Sequence, residues 1–341
     1  MTKKKILVTG GAGCIGGNFV QYLVGKYPAY SIYNLDALTY AGELTKHKAI
    51  ENNENYHFVQ ADIVDRQVIH SLFEKEKFDV VVHFAAESHV DRSITDPAIF
   101  VTTNVLGTQV LLDAARQVGI TKFVHVSTDE VYGELDFDPT TFFTEGMPLQ
   151  PNSPYSASKA SSDFLVQAYH RTYGLPMNIT RCSNNYGSYQ FPEKLIPLTI
   201  LRVLNEEKVP IYGNGQNIRD WLHVYDHCTA IDLVLHEGVN GEVYNVGGRN
   251  ERTNIEVVKT IISALGKSQE LITFVADRLG HDRRYAIDAS KLEQLGWQPI
   301  YTFDTGMAQT IQWYLENKEW WEQILSGEYQ HYFRKTNSKN G

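Results

Sequence analysis

Two short stretches of this chain carry residue types that do proton chemistry at usable spacing. Tyr155-Ser156-Ala157-Ser158-Lys159 sets a phenol and an ammonium one helical turn apart. In that geometry the cation can lower the phenol pKa from its usual ~10 toward working pH, so that a phenolate takes a hydroxyl proton. The same spacing arises as plain surface pairing, and what favours chemistry here is Pro154 just upstream, a good first residue for a helix. The second stretch, Ser127-Thr128-Asp129-Glu130-Val131-Tyr132-Gly133, follows an apolar run that reads as a strand. Hydride transfer needs only a hydroxyl and a base, roles for Thr128 and Tyr155, whereas two adjacent carboxyl groups call for further proton transfers. A general acid must start neutral and a general base ionised, and environments that split two carboxyl pKa values assign those roles. The bland alternative is an acidic pair capping the turn before Val131.

A nucleotide cofactor would give these groups something to act with. Gly10-Gly11-Ala12-Gly13-Cys14-Ile15-Gly16 follows the run Lys5 to Thr9 and opens a helix near Ile15. Glycines at 10, 13 and 16 allow a tight turn and bring a pyrophosphate against free helix N–H groups. Asp36 ends the second strand about 20 residues further on, where a carboxylate accepts hydrogen bonds from an adenosine ribose and repels a 2′-phosphate, which favours NAD over NADP. Asp62 and Ile63 follow the third strand and border an adenine site, and Ala85 and Ala86 follow the fourth, where small side chains let the nicotinamide half approach. All of these positions fall at the carboxyl ends of strands, where open parallel sheets bind ligands.

Lys5 to Thr9, Ser31 to Leu35, Tyr56 to Val59, Val80 to Phe84, Lys122 to Ser127 and Met177 to Arg181 read as buried strands separated by helical segments. Such alternation predicts a Rossmann-type doubly wound parallel sheet with a smaller C-terminal α/β substrate domain. The expected division is residues 1–183 for the dinucleotide-binding domain, also taking in about 222–238, and 184–334 for a discontinuous substrate domain. A frayed tail is expected over 335–341. Of 341 residues 43% are hydrophobic and 21% charged, which excludes a disordered or fibrous chain, and the net charge of -9 argues against a nucleic-acid surface. Cys14, Cys182 and Cys228 show no CxxC spacing, so neither a disulfide framework nor a thiolate zinc site is expected. The basic start Met1 to Lys5 runs into too short an apolar stretch for a signal peptide or membrane span, and a cytoplasmic protein is expected. His223 and His227 lie four apart, but no third ligand supports a metal, so none is expected. His83 and His125 read as core histidines, and Trp313, Trp320 and Trp321 as helix packing.

Longer runs sharpen this reading. Leu38-Thr39-Tyr40-Ala41-Gly42, Ala85-Ala86-Glu87-Ser88-His89-Val90-Asp91-Arg92-Ser93, the Ser127 to Gly133 stretch and Arg181-Cys182-Ser183-Asn184-Asn185-Tyr186-Gly187 occur in chain order. They are followed by Gly213-Asn214-Gly215, Arg219-Asp220-Trp221 and Gly280-His281-Asp282-Arg283-Arg284-Tyr285-Ala286-Ile287-Asp288. Over nearly its whole length the sequence resembles the nucleotide-sugar 4,6-dehydratases, extended short-chain dehydrogenases. The resemblance implies that Tyr155, aided by Lys159 and Thr128, takes the C4 hydroxyl proton of a nucleotide hexose while hydride leaves for NAD. Glu130 then removes the C5 proton, protonated Asp129 donates to the departing C6 hydroxyl, and hydride returns to C6. It implies cofactor contacts at Leu38, Thr39, Gly42, Ser88, Thr103 and Asn185, besides those above. Around the substrate it implies Ser88, Thr128 and Asn184 near the sugar and phosphates, and Lys194, Leu195, Pro210 and Tyr212 along the nucleotide. Arg219, Asn254, Arg278, His281 and Tyr285 would surround the diphosphate or base. dTDP-glucose is the favoured substrate, with UDP-, GDP- and CDP-hexoses as alternatives, the product feeding deoxysugar biosynthesis such as that of rhamnose. A homodimer through the helices near Pro97 to Val118 and Pro154 to Tyr173 is also implied. Cys14 and Gly17 depart from the family's usual Phe and Ser, which bears on cofactor tightness. Leu279 replaces a usual proline in the loop carrying Arg278, which bears on substrate affinity. A 4-epimerase or decarboxylase on the same scaffold would have no use for Asp129 and Glu130, and a non-catalytic cofactor sensor would have no use for Tyr155 and Lys159.

Overall fold

The computed structural model describes residues 3–278 and 280–326; the expectations for Leu279 and for the tail lie outside them. Its β-branched runs pair side by side as strands β1 (Lys5–Thr9), β2 (Ser31–Asp36), β3 (Tyr56–Gln60), β4 (Val80–His83), β5 (Lys122–Thr128) and β6 (Met177–Cys182). Three strands, β7 (Asn184–Tyr186), β8 (Val209–Tyr212) and β9 (Ile218–His223), come next. They are followed by β10 (Val243–Val246), β11 (Glu251–Thr253) and β12 (Ile272–Val275). The main sheet runs β10-β6-β5-β4-β1-β2-β3 with every pair parallel. The segment Val243–Val246, expected among the short pieces of the smaller domain, is therefore the edge strand of the large sheet.

Strand side chains alternate between faces, and each face has its own helices. Ile6, Val8, Val80 and Val82 pack with Phe19 and Val20 of the helix Cys14–Lys26 and with Ile231 and Val234 of the helix Val224–Glu237. Leu7, Val81 and Phe123 pack on the other side with Phe73, Leu111 and Val166. Both faces being covered explains why these strands read as continuous apolar runs. A separate core of Tyr186, Ile200, Trp221, Val257, Phe303 and Tyr314 holds the C-terminal helices against a sheet ordered β11-β9-β7.

The helix Pro97–Val118 is long and apolar enough to cross a bilayer by composition, and half of its most apolar window is buried inside the protein. Its middle, Val101–Gly107, is π-helical. Within that turn Asn104 accepts from Glu87 N at 2.8 Å and donates from Nδ2 to Glu87 O at 3.0 Å and Ser158 Oγ at 2.8 Å. Helix Pro154–Tyr173 begins on a capping box, Ser153 with Ser156, with Pro154 at its first position.

Candidate active site

The turn after β1 is shaped by what cannot be there. A Cβ on Gly10 (φ +72°) would lie 2.6 Å from Ala85 N, and one on Gly16 would lie 2.3 Å from Gly10 O. The helix Cys14–Lys26 starts at Gly13 with no side-chain cap and no acid in its first turn, which leaves its leading N–H groups available to an anion. Asp36 braces this turn, its Oδ2 accepting from Ala12 N at 2.9 Å and its Oδ1 from Leu38 N at 2.8 Å. Leu38 carries a positive φ of 55° and turns out of the cleft wall. Gly10, Gly13, Cys14, Ile15 and Gly16 line one continuous cleft with Asp36, Thr39, Gly42, Asp62 and Ile63. The same cleft takes in Ala85, Ala86, Ser88, Thr103, Asn184, Asn185 and Lys194. Thr128, Glu130, Tyr155 and Lys159 close its far end. A dinucleotide suits this shape, with a glycine cradle at one end and the proton-transfer groups at the other.

At that end β5 delivers Thr128, and a single 3₁₀ turn, Asp129–Tyr132, follows. Thr128 Oγ1 accepts from Glu130 N at 3.3 Å and donates to Asp129 Oδ1 at 3.3 Å. Asp129 is 1% exposed, and its Oδ2 has no hydrogen-bond partner among the described residues. Burial, then the charges of Glu130 and Asp220, hold its carboxyl well above the usual range. Glu130 faces the cleft, and burial raises it too, but Arg278, Arg219 and Lys194 pull it back toward the ionised form. Both neighbours are raised, Asp129 the more strongly, and only Glu130 has several cations opposing the rise.

The tyrosine and lysine are in place, but their coupling differs from expectation. Lys159 Nζ donates to Val126 O at 2.8 Å, and burial lowers its pKa to about 8. The Tyr155 phenol is raised well above 10, by burial first and then by Glu130. The lowered phenol pKa expected of the pair is absent because burial and the neighbouring carboxyl groups disfavour the phenolate.

The remaining expected substrate residues lie outside the cleft wall and fall into three groups. Tyr212 and Arg278 both reach Asp91 of the short helix Val90–Thr95, at 3.4 Å and 3.5 Å, and His281 stands edge-on to Tyr212 at 6.2 Å between ring centroids. Arg219 stacks on the Tyr285 ring at 4.2 Å, and its cation acts on Glu130. Leu195, Pro210 and Asn254 are not brought to the cleft: Leu195 and Asn254 begin the helices Leu195–Leu204 and Asn254–Ala264, and Pro210 pairs with Thr273 in β8.

The histidines take structural work. His83 bridges Thr9 Oγ1 at 2.7 Å and Thr108 Oγ1 at 2.9 Å, and His125 meets Asp163 at 3.4 Å beneath the sheet. His223 caps the helix Val224–Glu237, while His227 bonds Asn185 Oδ1 at 2.9 Å and so orients a cleft residue. Trp320 does more than the helix packing expected of it, because it also lines the cleft and donates Nε1 to Glu43 Oε2 at 2.8 Å. Sequence reasoning passed over Lys46 and Glu193, neither of which sits in a pattern with chemical spacing, although both line the cleft.

Comparison with known proteins places the chain in a family. The profile of the family described as GDP-mannose 4,6 dehydratase matches residues 7–310. A dTDP-glucose 4,6-dehydratase of Escherichia coli is 52% identical over 95% of this chain and 97% of its own. One from Xanthomonas campestris is 54% identical over 95% and 96%. Among solved structures, dTDP-glucose 4,6-dehydratase from Bacillus anthracis in complex with NAD superposes with a TM-score of 0.88 at 52% identity, covering 94% of this chain and 99% of that one. UDP-glucose 4-epimerase from Thermus thermophilus, also with NAD, reaches 0.85 at 30% identity over 92% and 99%. Fold and site therefore define a nucleotide-sugar-modifying enzyme of the extended short-chain dehydrogenase class. The relatives that share half of its residues narrow the class. The chain belongs to the nucleotide-sugar 4,6-dehydratase family, on the branch formed by the dTDP-glucose 4,6-dehydratases.

Proposed function

We propose that this protein converts dTDP-glucose to dTDP-4-keto-6-deoxyglucose with NAD as a recycled cofactor. The observation that carries the reading is the carboxyl pair at the end of β5, with Asp129 buried and raised well above the usual carboxyl range and Glu130 open to the cleft among cations. The glycine turn, Asp36, Asp62, Ile63, Ala85, Ala86 and Asn185 are the residues to hold the cofactor. When bound, NAD supplies a hydride acceptor for C4 and, once reduced, a donor for C6. The chain does the rest. Tyr155, whose phenolate form the Thr128 hydrogen bond favours and the positive ring of bound NAD would favour further, takes the C4 hydroxyl proton, and the ketone formed there makes the C5 proton acidic. Glu130 takes that proton and Asp129 gives its own to the departing C6 hydroxyl, so water leaves. A 4-epimerase shares the first step only, and the acid pair argues against it.

The experiment incubates purified protein with dTDP-glucose without added reductant and follows product mass. The expected product is lighter by one water and absent with Glu130→Gln. Parallel incubations with UDP-, GDP- and CDP-hexoses rank the base. Inertness toward all four, with NAD bound, would remove the dehydratase reading. The proposed setting is a cytoplasmic homodimer. Its support is that half of the apolar window of the helix Pro97–Val118 is buried in the fold, and that apolar residues are exposed there and on Pro154–Tyr173.

A further inference from the structure

Lys46 belongs to none of the chemistry above, yet it is 3% exposed and lines the cleft. It sits in the one-turn helix Thr45–His47, and its Nζ donates to Ala12 O at 2.7 Å and Gly13 O at 2.9 Å, two carbonyls of the glycine turn. The Ala12 peptide is thereby held from both sides, its N–H by Asp36 and its C=O by Lys46. A buried ammonium is costly without a countercharge. Among the described residues no carboxylate lies within ion-pairing distance of this one. Burial lowers its pKa while Cys14, Glu43 and Asp36 oppose that more weakly, so a further negative charge nearby would stabilise it.

The lysine stem reaches this place across Gly17. A Cβ on Gly17 would stand 2.5 Å from Lys46 Cδ, and Gly17 O is 3.4 Å from His47 Nε2. A side chain at position 17 and the observed path of Lys46 exclude one another. The departure at Gly17 is thus one half of a pair.

We propose that Lys46 is a cofactor-positioning residue: it fixes the glycine turn through the Ala12 and Gly13 carbonyls and sets a positive charge behind the diphosphate of the dinucleotide, and Gly17 is the residue that admits it. The inference rests on the glycine turn being the NAD site. It is tested on the full chain freed of nucleotide, by calorimetric titration with NAD, ADP and adenosine. Lys46→Met is expected to weaken NAD and ADP by about tenfold, the range of one charge-assisted contact, and to leave adenosine within about twofold. Gly17→Ser should show the same selective loss, and the double variant should be no weaker than Lys46→Met alone. ADP affinity within twofold of wild type in Lys46→Met, equal losses for ADP and adenosine, or additive losses in the double variant would each overturn the proposal. Should Lys46→Met not fold, Gly17→Ala with the lysine intact decides: selective loss of ADP supports the role and unchanged ADP affinity overturns it. Failure of the wild-type chain to bind NAD would instead overturn the reading on which the inference rests.

Discussion

A carboxyl group that is to act as an acid near neutral pH must be kept from ionising, and Asp129 meets this by burial and by the charge of its neighbour. An asparagine there keeps the shape but has no proton to give. Asp129→Asn is therefore expected to lower dehydration by about 10²–10⁴-fold, while oxidation at C4 continues and reduced cofactor accumulates, visible by its near-ultraviolet absorbance. A variant that still releases water at the wild-type rate would move the acid role elsewhere. The candidates Asp129, Glu130, Tyr155 and Lys159 were legible as neighbours because each pair is local, one peptide or one helical turn apart. That three of the candidate cations converge on Glu130 was not, since Arg219 comes from β9, Lys194 from the start of the helix Leu195–Leu204 and Arg278 from a later loop, and only the fold makes them neighbours. Lys46 was hidden for a related reason: in a polar stretch it reads as solvated, and its burial depends on a missing side chain at Gly17.

The elements explain how short motifs hold a long cleft. Strands β1 to β6 were legible within a residue or so because a two-sided sheet forces continuous apolar runs. The edge strand β10 was not, since Val243–Val246 is short and its Tyr244 and Asn245 break the apolar pattern. The π turn in the helix Pro97–Val118 had no sequence signal either. It carries Asn104, 1% exposed, whose amide grips both backbone groups of Glu87 and so shapes the cleft segment from Ala86 to Ser88. Asn104→Ala leaves that buried N–H and C=O unpaired, with an expected loss of about 1–3 kcal/mol, read as a melting temperature lower by several degrees. Weaker sugar binding should accompany it, because Ser88 is no longer held. An unchanged melting temperature would show that water or a shifted backbone satisfies Glu87.

At the scale of the molecule, helix Cys14–Lys26 and helix Val224–Glu237, side by side on one face of the sheet, are tied together by one carboxylate. Asp232 accepts from Lys26 Nζ at 2.7 Å, Tyr22 OH at 2.9 Å and Tyr27 OH at 3.0 Å, and pairs with His236 at 3.1 Å. Burial alone would raise its pKa, but hydrogen bonds from His236, Lys26, Tyr22 and Tyr27 outweigh it and take it from 3.8 to about 2. Its stabilisation, on the order of 2 kcal/mol, is complete above pH 3.8 and lost as pH falls through about 2. His236 is raised above 6.5 by the same partner, so its share is complete below pH 6.5 and lost as pH rises through its folded pKa. The stability gap between wild type and Asp232→Asn, measured by denaturant titration, should be widest between about pH 4 and 6.5 and close on the acid side; a pH-independent gap would exclude the linkage. The outer face poses the complementary question of assembly. Val101 (56% exposed), Leu106 (47%), Phe164 (56%) and Tyr173 (55%) stand on two packed helices, more apolar surface than solvent contact alone explains. If a second copy covers them across a two-fold axis, a charge at one position enters the interface twice. Phe164→Lys and Val101→Lys should then each convert a dimer to a monomer in light scattering, with the fold intact by circular dichroism, whereas dimers persisting in both variants would place the contact on another face.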